Sequence, residues 1–190
     1  MTTKKRDMAA LALELVGQFS KLQDTVDSLV LQYAKKRAPA LAAFLDGENI
    51  IERVSDNQRP KLVESIAADL GTAADLSKFS DVFFSVKEIR DFVAHGTYTK
   101  HVDDDNIVIF NNYISGPAIK KRGIKKRDSL NVSRQQLTRR LSEAGWLLQH
   151  VHFITGSSDL TDQLYLGTQP VSFAVPPADP VDWNGEILTM

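Results

Sequence analysis

Apolar residues recur every three or four positions over most of this chain, and that spacing commits it to a mainly helical fold. Met8, Leu11, Leu15, Val16, Phe19, Leu22, Val26, Leu29, Val30 and Tyr33 trace one stripe along a long first helix, about Lys5 to Lys36. Lys35, Lys36 and Arg37 complement the dipole at its end, and Pro39 discourages continuation. A shorter helical piece over Ala40–Leu45 stops at Asp46-Gly47, and Glu48–Val54 has room for another turn or two. Asp56 or Asn57 then caps a helix through Leu70, with Pro60 near its first turn and Gly71 as its stop. The next helix opens at Asp75 and reaches His95, with Gly96 expected as a left-handed cap. Ser133 caps the last one, which runs to about Thr155 and stops at Gly156. Its Leu137, Leu141, Ala144, Leu148 and Val151 lie on one side.

Between the last two helices the period changes. Asn106–Tyr113 is rich in β-branched and aromatic residues and reads as a strand, with Ser129–Val132 as its short partner. The chain therefore reads as a helical bundle over residues 1–156, with a small β-hairpin (about residues 106–132) before the last long helix. Residues 157–190 form an acidic tail containing Pro170, Pro176, Pro177 and Pro180, in which Leu164, Tyr165, Phe173 and Trp183 argue for docking on the body.

A chain of 190 residues suits one domain with such a tail. No run approaches the ~18 apolar residues a membrane span needs. The basic start (Lys4, Lys5, Arg6) resembles a signal peptide, but Glu14, Gln18 and Lys21 interrupt the neighbouring apolar residues at helical spacing. The absence of cysteine removes disulfides, thiolate zinc sites and a Cys nucleophile, and agrees with a cytoplasmic location. The net charge of −1 divides into +5 over residues 1–140 and −6 over residues 141–190. A basic body with an acidic end is one pattern of polyanion binders.

The helix ending at His95 carries the chemistry. Leu76, Phe79, Val82, Phe83, Val86, Ile89 and Val93 form its stripe, and Arg90 falls in the middle of it. A guanidinium does not lose its proton, so a buried one needs a carboxylate or several acceptors. Arg90 is then a cation held in a cleft and aimed at phosphate, or one half of an internal ion pair with an acid from another helix, or a stem packed on apolar surface with its head in water. The wheel alone favours the last two over the first. His95 lies ~140° around the helix from Arg90, so the two do not share a face. Asp91, one turn before His95, is placed to hydrogen-bond the imidazole.

Taken together, Arg90-Asp91-Phe92-Val93-Ala94-His95-Gly96 resembles the signature helix of the HEPN superfamily, an Arg followed four to six residues later by a His. The resemblance implies a bundle of four or five helices that forms a homodimer, bringing two copies of the motif into one cleft. It implies a metal-independent endoribonuclease, such as a toxin or antiphage effector, or alternatively a non-catalytic dimeric module that binds a nucleotide, RNA or a protein partner. Under the first, Arg90 contacts the scissile phosphate and His95 serves in acid–base cleavage through the RNA 2′-hydroxyl. Asp91 stands at the polar position, where Asn is commoner. An antitoxin is a further partner of the toxin reading. Such chemistry needs a proton acceptor, a donor and a cation on phosphate, and no cofactor.

One more segment bears on polyanions. Lys120, Lys121, Arg122, Lys125, Lys126 and Arg127 crowd into the loop of the hairpin. Such a run grips phosphate backbone without sequence preference, or stays a solvated loop. No aromatic residue interleaves it, which argues against base stacking. A metal site is not expected: His150 and His152 face different ways, and Asp103-Asp104-Asp105 beside His101 reads as a solvated turn.

Overall fold

The structure is a computed structural model that describes residues 7–47, 54–96, 98–110, 129–158, 160, 165–166 and 169–170. Over those residues it is mainly helical, with five helices and a small three-stranded antiparallel sheet inserted before the last long helix. Helix α1 spans Met8–Arg37, α2 Pro39–Gly47, α3 Arg59–Leu70, α4 Phe79–His95 and α5 Arg134–Ser157. Strands β1 (Tyr98–Asp103), β2 (Asn106–Phe110) and β3 (Ser129–Ser133) pair in that order. In the tail, β4 (Tyr165–Leu166) and β5 (Gln169–Pro170) make a two-residue antiparallel pair. No helix among the described residues is long and apolar enough to cross a membrane.

The stripe of α1 is the spine of the core. It packs most extensively on α5 and also meets α2, α3 and α4, while α4 fills the remaining side against α5. Leu15, Phe19, Leu22 and Val26 of α1 are inaccessible to solvent, as are Phe79, Phe83 and Val86 of α4. Phe19 and Phe83 lie 5.1 Å apart between ring centres, and Phe79 sits 6.2 Å from Trp146 of α5. Each such side chain contributes roughly 1.5–3 kcal/mol by leaving water, so this seam holds the bundle together. The second half of α5 is buried nearly all round, from Glu143 to Thr155, which makes it a central rather than a surface helix.

The ends of the elements follow local chemistry. Asp7 accepts from the Ala9 amide at the start of α1, and Ser133 with Gln136 forms a reciprocal capping box on α5. Pro60 stands in the first turn of α3, and Gly71 ends it with φ 65°. The acidic turn between β1 and β2 is stapled to α5: Arg134 donates to the Asp105 carboxylate at 2.6 Å and to the Asp104 carbonyl at 2.7 Å.

Four expectations are corrected. Helix α3 begins at Arg59 after Gln58, and the Asp56 carboxylate serves cations instead of capping backbone amides. Asp75 accepts from the Ser77 amide in a turn, and α4 begins only at Phe79. Gly156 lies within the last turn of α5, which closes at Ser158 with its hydroxyl donating to the Ile154 carbonyl. Gly96 has φ −65°, an ordinary value for any residue. Its small size is required by close approach: a Cβ there would stand 2.5 Å from Ile109 Cγ2 and 2.6 Å from the Phe92 carbonyl oxygen. Strand β1 is an addition to the expected hairpin. The expected extensions at residues 48–53 and 111–113 lie outside the described residues, as do Phe173 and Trp183.

Candidate functional site

Helical phase puts Arg90 on the face of α4 that looks toward α1, and there the guanidinium finds both a ring and a carboxylate. Its Cζ stands 4.2 Å from the centre of the Phe19 ring. Nη2 donates to Asp56 Oδ2 at 2.9 Å, and Nη1 lies 3.1 Å from Asp91 Oδ1. The side chain keeps 13% of its exposure, against 16% for that of Asp56. Its Nε is buried with no partner among the described residues. The anomaly in the stripe is thus resolved by an acid 34 residues away in sequence.

Asp56 is the hub of a larger cluster. Its Oδ1 accepts from Gln23 Nε2 at 2.6 Å and from Arg59 Nη1 at 2.9 Å, while Lys87 Nζ stands 3.8 Å from Oδ2. Lys87 also pairs with Asp91 one turn along α4. Arg59, only 6% exposed, donates from Nε and Nη2 to the two oxygens of Asp27 at 3.0 and 2.7 Å. Burial alone would lower the Arg59 pKa, but the bonds and charge of Asp27, with those of Asp56, outweigh it and hold the group above its ordinary value. The three cations Arg59, Lys87 and Arg90 are balanced by the three carboxylates Asp27, Asp56 and Asp91. The cluster is neutral, and it ties α1, the start of α3 and α4 into one unit.

His95 has a different setting. It is the last residue of α4, exposed, and its imidazole makes no hydrogen bond or ion pair among the described residues. Asp91 does not orient it as expected, because Lys87 and Arg90 already engage that carboxylate. Within one chain, then, Arg90 faces the core and His95 faces water.

The six cations Lys120, Lys121, Arg122, Lys125, Lys126 and Arg127 lie outside the described residues, but their point of insertion does not. Phe110 and Ser129, between which they fall, pair with each other, and Phe110 also pairs with Tyr98, three residues after His95. A Cβ on Gly96 would come within 3.7 Å of the Phe110 carbonyl oxygen. Phe110 and Ser129, the described residues that flank it in sequence, therefore lie at the same end of the sheet as the end of α4.

At the opposite end of the sheet, an open polar cleft of about 490 Å³ is lined by Asp7, Met8, His101, Val102, Asp103, Asp104 and Arg134. Among the described residues no group of His, Asp and Glu side chains is arranged to hold a metal ion. His150 and His152 are both buried on α5, and burial lowers the pKa of each. The His150 ring lies tilted at 51° against that of Trp146 with ring centres 4.0 Å apart, and its Nδ1 lies 3.0 Å from the Trp146 carbonyl oxygen.

Sequence reasoning located Arg90 and its need for a counterion but missed Asp56, Asp27, Arg59 and Gln23. The Lys87–Asp91 pair, four apart on one helix, carried a local signal, as did Asp56 three residues before Arg59. Comparison of the chain with family models, with curated proteins and with solved structures finds no match in any of the three.

Proposed function

We propose that this chain is a HEPN-like module that binds RNA as a homodimer without cleaving it. The observation that carries the reading is the state of Arg90, whose charge is spent on Asp56 and Asp91 inside a neutral cluster. A scissile phosphate would have to compete for that guanidinium with two carboxylates, of which Asp56 is largely buried. The RNA side of the reading rests on Lys120–Arg127, whose insertion point lies beside the end of α4. The dimer is carried over from the HEPN resemblance.

A second reading, the metal-independent endoribonuclease, is favoured by His95. An exposed imidazole with no partner among the described residues is open to a substrate, as an acid–base role would need. One experiment separates the two. Full-length protein is mixed with labelled single-stranded RNA in EDTA, and binding and cleavage are monitored as salt is varied. The expected result is binding that weakens steeply with salt, disappears when the six cations of residues 120–127 are replaced by Gln, and leaves the RNA intact. Cleavage by the wild type that is lost in His95→Ala would overturn the non-catalytic reading in favour of the second. Wild-type protein that binds no RNA would overturn both.

A further inference from the structure

The donors around Asp56 have the form of an anion site. Arg59 Nη1, Arg90 Nη2 and Gln23 Nε2 all donate to the one carboxylate, and Lys87 Nζ adds a third cation at 3.8 Å. Four side chains from three helices converge on a single pair of oxygens. One guanidinium nitrogen from each arginine, with an ammonium and an amide N–H beside them, suits a tetrahedral oxyanion, each donor meeting one of its oxygens. Without Asp56 the remaining charges, Arg59, Lys87 and Arg90 against Asp27 and Asp91, leave an excess of one positive charge in a largely buried place. An anion is what that place would then take up.

Access comes from the same geometry. Asp56 precedes α3, in a turn whose neighbours Ser55, Asn57 and Gln58 are exposed. On the other side Lys87 and Asp91 retain 23% and 33% of their side-chain exposure, so the cluster opens to water along its Lys87 edge. Arg59 is held from behind by both oxygens of Asp27, which keeps its remaining donors aimed at the Asp56 position. The cradle is thus built from outside Asp56 and does not depend on it for the placement of Arg59.

We propose that Arg59, Lys87, Arg90 and Gln23 form a phosphate-binding site, occupied in this conformation by the chain's own Asp56 carboxylate as an internal stand-in. The site is independent of RNA binding by the basic segment, which leaves Arg90 out of the contact. Asp56 then acts as a gate: a phosphate group enters where that side chain leaves.

The test is stability of the full-length chain against ligand concentration. Urea unfolding is measured for wild type, Asp56→Ala, Asp56→Ser and Asp56→Ala/Arg90→Met, each in rising inorganic phosphate at constant ionic strength, with formate as a size-matched carboxylate. Above its Kd, phosphate should raise the folded-to-unfolded ratio of Asp56→Ala by about tenfold for each tenfold rise in concentration. The double variant should show no such slope, and wild type should show one only at far higher phosphate. If Asp56→Ala does not fold, Asp56→Ser carries the test, since it also vacates the place of the carboxylate and is well tolerated in a turn. Indifference of the folded variants to phosphate overturns the site. Rescue by formate alone overturns phosphate as its ligand, and a wild-type slope equal to that of the variant overturns the gating by Asp56.

Discussion

Replacing Arg90 by Met tests whether this residue is a structural tie or an open ligand, because Met keeps the bulk of the stem and removes only the charge and the fork. Removing one partner of a buried ion pair costs roughly 3–5 kcal/mol, mostly through the charge left behind. Here the charge left behind is Asp56, which keeps its bonds to Arg59 and Gln23 and is 16% exposed. Those remaining partners bring the expected loss to about 2–3 kcal/mol. The cation over Phe19, at 4.2 Å, adds about 0.5–1 kcal/mol. Urea unfolding monitored by far-ultraviolet circular dichroism should therefore show a midpoint about 1 M lower at unchanged slope. The thermal midpoint should drop by roughly 5–16 °C. A double-mutant cycle with Asp56→Asn should give a coupling of about 1–3 kcal/mol. An arginine held in readiness for a ligand would behave otherwise, with a loss under ~0.5 kcal/mol and additive effects with Asp56. Either of those two results would refute the assignment of Arg90 as a tie between α4 and Asp56.

Gly96→Ala should cost about 1–3 kcal/mol in the same unfolding assay, because the new methyl group meets Ile109 and the Phe92 carbonyl. Since φ there is −65°, Asn should rescue nothing relative to Ala, and a neutral Gly96→Ala would show that the contact yields freely. His150 supplies a pH dependence. Its pKa in the folded chain is depressed by burial, so the unfolded chain takes up the proton first. Its contribution is complete above the unfolded value of about 6.5 and is lost as pH falls below that, toward the folded value. Stability measured from pH 7.5 down to 5.5 should fall, and His150→Phe should make the decline shallower, with His152 accounting for part of what remains. An unchanged slope in His150→Phe would sink this assignment.

What could be read in advance depended on whether a signal was periodic or long-range. The stripes of α1, α4 and α5 were legible because a helix repeats its inward face every 3.6 residues, whatever it packs against. Arg90 stood out for the same reason, as a fixed charge in an apolar row. Its partner was invisible, because Asp56 sits in an irregular stretch where an acid shortly before a proline also looks like a helix cap. Only the fold decided between those two uses of one carboxylate. Strand β1 gave no alternation to detect, since Thr99–Asp103 is exposed throughout and no buried face selects its residues. Asp91 was correctly placed one turn from His95, yet it was equally near Lys87 on the other side, and helical spacing cannot rank two neighbours.

The tie between Arg90 and Asp56 also sets the rotation of α4 about its own axis. A slip of one residue would offer Ile89 or Asp91 to the Asp56 carboxylate, leaving it against hydrocarbon or against a like charge. An apolar seam alone would tolerate such a slip more readily, because Val86, Ile89 and Val93 are similar in size and indifferent to polarity. His95 stands five residues beyond Arg90, about 7.5 Å along the helix. The direction in which the exposed imidazole points at the far end of α4 is therefore decided inside the core, by which residue meets Asp56.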